Sequence, residues 1–204
     1  MITNSVKPRW SFYLTWILLT CICIPIAFML SFGILALIKY FAGDFIYVNG
    51  VRRITEDYLF MYILIPIASL LTGAGQYALL RRYLPRMGGW VVATLGGWLV
   101  GVFLIALTGW LNWSDERLYL EGALLLMGLA IGAGQWLLLR RRLPQSGWWI
   151  AANAAAWGLS ALITTGNSLD RFVVITLAIL PACITAAVLA LLMKGGISTQ
   201  PNGV

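Results

Sequence analysis

Histidine is absent from this sequence of 204 residues, cysteine occurs three times, and only 10% of the residues are charged. Without histidine there is no imidazole for acid–base work, no His-ligated haem and none of the usual zinc sites. Cys21 and Cys23 stand two apart in an apolar run, where a helix points them to nearly opposite sides, and Cys183 sits in another such run. They read as small apolar residues, not as a disulfide or a metal site. The shortage of charge excludes more. A soluble domain carries about 25% charged residues because its surface must be wet. A chain that is 61% hydrophobic cannot cover a globule in polar groups, so lipid must be its solvent.

Six apolar segments have near-spanning length: 10–38, 58–80, 90–111, 118–139, 148–165 and 172–193. The expected fold is therefore an all-α integral membrane bundle of about six transmembrane helices. Residues 1–194 form one domain, with hairpins over 58–111 and 118–165, and 195–204 form a flexible polar tail. Lys7 and Arg9 precede the first segment as they would in a signal peptide. That segment is far longer than a signal's apolar region of about 7–15 residues, so it is expected to be retained as a helix. Pro25, Pro66 and Pro181 fall inside the first, second and sixth segments. Each removes a backbone donor, which a bundle can tolerate.

Charge sets the expected orientation. If the N-terminus is cytoplasmic and each segment crosses once, the inner side receives nine basic residues and no acid. These are Lys7, Arg9, Arg81, Arg82, Arg86, Arg140, Arg141, Arg142 and Lys194. All seven acids fall outside, with Lys39, Arg52, Arg53, Arg117 and Arg171. Basic residues are retained on the cytoplasmic side, so both termini are expected inside a cell membrane crossed an even number of times. The net charge of +7 then reports topology and implies no nucleic acid.

A repeat gives the sharpest signal. LLTGAGQYALLRRYLPRMGGWVVATLGGWLVG begins at Leu70 and LAIGAGQWLLLRRRLPQSGWWIAANAAAWGLS begins 59 residues later at Leu129, with 15 identities over 32 positions. Each copy reads as helix, basic turn, helix. Two crossings return the chain to the same side, so the copies are expected to be parallel repeats. The first and sixth helices carry no clear copy and are expected to flank them. The pattern G-x-G-Q-x-x-L-L-R-R-x-L-P-x-x-G-x-W runs from Gly73 to Trp90 and again from Gly132 to Trp149. It resembles a group of bacterial multi-pass membrane proteins of uncharacterised function that carry such a hairpin, often repeated. The resemblance covers about the middle half of the chain. It implies a bacterial cytoplasmic membrane location and this fold, with no activity, cofactor or catalytic residue attached.

Small residues recur at helical spacing: Ser69 and Gly73, then Gly97 and Gly101, then Gly128 and Gly132. Such ridges let backbones approach closely, either within the chain or across a homo-oligomer face. Gln76 and Gln135 lie five residues before the basic turns, inside the membrane boundary, where an amide needs a partner. They read as interhelical hydrogen bonds, as a snorkel to the headgroups, or as a paired polar site. Asn153 is a third amide, but its repeat counterpart is Thr94. Arg81, Arg82, Arg140, Arg141 and Arg142 satisfy the retention signal and also suit anionic lipid phosphate. Of ten tryptophans, Trp10, Trp90, Trp110, Trp113, Trp148 and Trp149 fall at segment ends, where the headgroup layer suits an indole. Trp16, Trp98, Trp136 and Trp157 lie deeper. Trp98 and Trp157 read as structural, with a pigment or quinone contact as the alternative.

No catalytic constellation or metal motif stands out, and no cofactor is implied. The reading that follows is a non-enzymatic structural, accessory or assembly component, with anionic lipids and a membrane protein or second copy as partners. A small transporter or channel for a neutral or lipid-like solute is the alternative. A lipid enzyme would have to use the outer acids Asp115, Glu116 and Glu121.

Overall fold

A computed structural model describes residues 8–84, 87–109, 116–166 and 173–198. They form helices α1 (Trp10–Ala42), α2 (Thr55–Leu80), α3 (Trp90–Gly109), α4 (Glu116–Leu139), α5 (Trp148–Gly166) and α6 (Val173–Ser198). The fold is all-α, as the apolar segmentation implies. Among the described residues, four stretches are long and apolar enough to cross a membrane: α1, Tyr62–Leu80, Trp90–Leu107 and Glu121–Leu139. The apolar stretches in α5 and α6, Trp148–Ile163 and Ala178–Lys194, are shorter. Helices α1, α2 and α6 continue through Pro25, Pro66 and Pro181. Helix α6 also carries on to Ser198, so the first part of the segment expected as a tail is helical. Residues 199–204 lie outside the described residues.

Between α1 and α2 the chain makes a small β-hairpin, β1 (Phe45–Val48) and β2 (Val51–Ile54), with Val48 paired to Val51. Asn49 and Gly50 have φ of 50° and 78°, the two positive values that a type I′ turn requires. Lys39 bridges Asp44 at 3.0 Å and Glu56 at 2.7 Å, and Thr55 Oγ1 donates to the Gly43 carbonyl at 3.0 Å. These contacts tie the hairpin to the ends of both flanking helices.

Each helix packs against its neighbours in sequence, and α6 closes on α1, so the six make a ring. Two apolar clusters fill it. One lies at the end where the α2–α3 and α4–α5 turns sit, and gathers Phe12, Leu80, Met87, Leu139, Leu143 and Met193. Because Phe12 and Met193 belong to it, the start of α1 and the end of α6 lie at that same end. The second cluster holds Ile24, Leu64, Trp98, Ile131, Trp157 and Ala178. Helices α1 and α6 flank the repeats, packing on α2 and α5, and by packing on each other they also form the third side of the ring. Leu189 of α6 is fully buried, as are Leu80 of α2 and Leu139 of α4.

The small-residue ridges explain how closely the helices approach. A Cβ on Gly73 would lie 3.2 Å from Thr94 Cβ, and one on Gly132 would lie 2.9 Å from Ile150 Cα. A Cβ on Gly128 would meet the Asn153 carbonyl, and one on Gly101 would meet Met127. Ser69 is fully buried and donates to the Pro66 carbonyl at 2.9 Å. These six positions pack within the chain, each against the next helix or its own backbone.

One close backbone approach yields a test. A Cβ on Gly97 would stand 2.6 Å from Ile131 Cα, whereas one on Gly96 would meet nothing within 4 Å. Gly97→Ala should destabilise the detergent-solubilised protein by about 1–3 kcal/mol, as overpacking does. Gly96→Ala should leave thermal stability unchanged or slightly raised. Equal melting temperatures for both variants would contradict the packing.

Candidate functional site

A polar layer separates the two apolar clusters. Gln76 on α2 and Gln135 on α4 are both buried, so the snorkelling alternative gives way to bonds across the bundle. Trp90 Nε1 donates to Gln76 Oε1 at 3.2 Å, and Trp149 Nε1 donates to Gln135 Oε1 at 2.9 Å. The two bonds are equivalent under the repeat. Gln76 Nε2 then donates to Thr20 Oγ1 at 3.4 Å, and Gln135 Nε2 to Thr94 Oγ1 at 3.0 Å. A further contact of 3.5 Å runs from Gln135 Nε2 to Gln76 Oε1, joining the two copies.

The headgroup assignment of Trp90 and Trp149 is thereby corrected. They are 0% and 1% exposed, inside the ring, while Trp10 and Trp148 are 75% and 66% exposed. Position at a segment end suggests a belt residue. Trp90 and Trp149 instead follow a tight turn whose helix starts point inward, and each indole N–H finds an amide oxygen opposite. Trp110 and Trp113 lie outside the described residues.

The third side of the ring repeats the device. Trp16 on α1 donates through Nε1 to Thr185 Oγ1 on α6 at 3.2 Å. Thr185 stands four residues before Leu189, as Gln76 and Gln135 stand before Leu80 and Leu139. The three indoles meet at the ring centre, with centroids 6.4 Å apart for Trp16 and Trp90, and 6.2 Å for each of the other two pairs. Four residues after each tryptophan comes a buried polar side chain: Thr20, Thr94 and Asn153. Thr94 Oγ1 donates to the Trp90 carbonyl, and Asn153 Nδ2 to the Trp149 carbonyl, both at 2.9 Å. Asn153 therefore takes the place of Thr94 in the second copy, with an amide where the first has a hydroxyl. Four residues further on lie Ile24, Trp98 and Trp157, the last two edge to face at 5.2 Å.

These layers enclose a cavity of about 40 Å³. Thr20, Thr72, Thr94, Thr185, Gln76, Gln135 and Asn153 supply its polar lining. None of these side chains is ionisable, so the site presents neutral hydrogen-bond donors and acceptors. Sequence reasoning singled out both glutamines and read Trp98 and Trp157 as structural, without their contact. It named Trp16 only as deep and missed Thr20 and Thr185, because no identity links α1 and α6 to the repeats strongly enough; Thr72 of α2 was missed because its repeat counterpart, Ile131, is apolar.

The predicted lipid residues lie elsewhere. Arg81, Arg82, Arg140, Arg141 and Arg142 are exposed at the two turns, and none forms an ion pair among the described residues. The Arg140 guanidinium lies over the Trp136 ring, 5.2 Å from its centroid. Trp136 lines an open apolar groove of about 870 Å³ between α3 and α4, floored by Gly96, Gly97, Ala133 and Gly134. Of the outer acids, Asp115 and the side chain of Glu116 lie outside the described residues, and Glu121 is half-buried on α4. No protein-family model, curated protein or solved structure matches the chain.

Removing a buried acceptor should be costly. Gln135→Leu would strand the Trp149 N–H and should destabilise the protein by about 1–3 kcal/mol, and Gln76→Leu should do the same to Trp90. Because the two amides touch, the double variant should lose measurably less than the sum of the singles. Thermal unfolding of the four proteins in one detergent checks this.

Proposed function

We propose that this chain is a non-enzymatic multi-pass component of a bacterial cytoplasmic membrane, structural or accessory in role, that carries bound anionic phospholipid. Both termini face the cytoplasm, so the arginine turns and the chain ends share the inner leaflet. The observation that carries this reading is the apolar α3–α4 groove lined by Trp136, over whose ring the Arg140 guanidinium lies. An acyl chain suits the groove, and the planar guanidinium fork suits the phosphate above it. Arg81, Arg82, Arg141 and Arg142 add exposed positive charge around the same face, each worth about 1 kcal/mol of attraction to an anionic leaflet. The axial polar groups support a structural role, because most of their hydrogen bonds join one helix of the ring to another.

The axial cavity favours a second reading, a path for a small neutral solute. The two readings differ in a measurable way. Native mass spectrometry of the wild type should retain phosphatidylglycerol or cardiolipin. Replacing Arg81, Arg82, Arg140 and Arg141 together by glutamine should cut that retention several-fold. Proteoliposomes should pass glycerol no faster than empty vesicles. Equal lipid retention by both proteins would remove the lipid role, and accelerated glycerol flux would favour the path.

A further inference from the structure

The ring has three tryptophans on its axis but only two glutamines to receive them. On α2 and α4 the acceptor is an amide, and on α6 it is the hydroxyl of Thr185. A threonine reaches the indole but lacks the terminal NH2 with which Gln76 contacts Thr20 and Gln135 contacts Thr94. By the same symmetry, a third NH2 would point at Asn153, the residue equivalent to Thr20 and Thr94. The cavity lies where this group is missing, with Asn153, Thr185 and Pro181 in its wall.

Two further observations point to an occupant. Thr72 lines the cavity at 8% exposure, and its Oγ1 is buried with no hydrogen-bond partner among the described residues. Gln76 Nε2 carries two N–H donors and uses one of them, toward Thr20. A buried hydroxyl without a partner is costly in an interior that offers no solvent. A polar cavity needs at least about 10–15 Å³ of such volume to hold a water, and the water needs two to four partners. At about 40 Å³ the space exceeds that minimum, and the wall supplies the partners.

We infer that this cavity is a buried water-binding site, in which ordered water takes the place of a third amide. The water receives the Gln76 N–H, engages Thr72 Oγ1 and bonds toward Asn153. The inference goes beyond the lipid reading and does not depend on it, since the groove and the cavity are separate.

The test combines a spectroscopic readout with two variants. Solid-state NMR of the wild type in lipid, with water-edited transfer, should show rapid magnetisation transfer from water to the side-chain amides of Gln76 and Gln135. Thr185→Gln supplies the third amide, still accepts from Trp16, and should abolish that transfer. Thr72→Val should lower the melting temperature by about 2–4 °C, the shift expected for one lost hydrogen bond in a chain of this size. A dry cavity predicts the reverse, because valine would then relieve an unpaired hydroxyl. No water transfer in the wild type, or a raised melting temperature in Thr72→Val, would overturn the inference. If Thr185→Gln fails to fold, the wild-type transfer and the sign of the Thr72→Val shift decide the matter.

Discussion

An indole N–H inside a membrane bundle can stay only if a neighbouring helix offers it an acceptor. The hydrocarbon region supplies none, and an unsatisfied group there costs several kcal/mol. In this chain three indoles face that requirement at one point, the centre of the ring. Each is met by the adjacent even-numbered helix: Trp90 by Gln76 on α2, Trp149 by Gln135 on α4, and Trp16 by Thr185 on α6. The rest of the interior follows from satisfying the three at once. Each pairing sets the rotation and depth of two helices, and three pairings close a ring of six.

The glycines make that closure attainable. For an indole on one helix to reach an amide on the next, the backbones must come close. Gly73, Gly97, Gly128 and Gly132 remove the side chains that would keep them apart. Packing at the ridges and polar pairing on the axis are therefore one device. The ridges bring the helices into contact and the N–H bonds fix their register, while the outer face keeps the arginines and the open apolar groove.

Much of this was legible in the residues, and the limits have physical reasons. Charge scarcity and apolar run length led directly to an all-α membrane bundle, because the bilayer leaves a chain few alternatives. The repeat placed Gln76 and Gln135 in equivalent positions, and the small residues marked the close contacts. The belt assignment of Trp90 and Trp149 failed because a segment end in sequence does not say which way a side chain points. The Asn49-Gly50 turn signal between two short β-prone runs was present but passed over in a loop read only for charge. The third pairing was hidden because α6 precedes its partner across the chain ends: the turn that joins α2 to α3 has no counterpart between α6 and α1. Thr185 in place of glutamine and Thr20 in place of asparagine preserve hydrogen-bonding capacity without preserving identity.

The central claim is that three tryptophans are locked to acceptors on the axis. Hydrogen–deuterium exchange of the indole N–H groups, followed by NMR on protein labelled with nitrogen-15 at tryptophan, tests it most directly. Trp16, Trp90 and Trp149 should exchange far more slowly than the exposed Trp10 and Trp148. Exchange at Trp90 and Trp149 as fast as at Trp148 would return them to the headgroup layer and contradict the account.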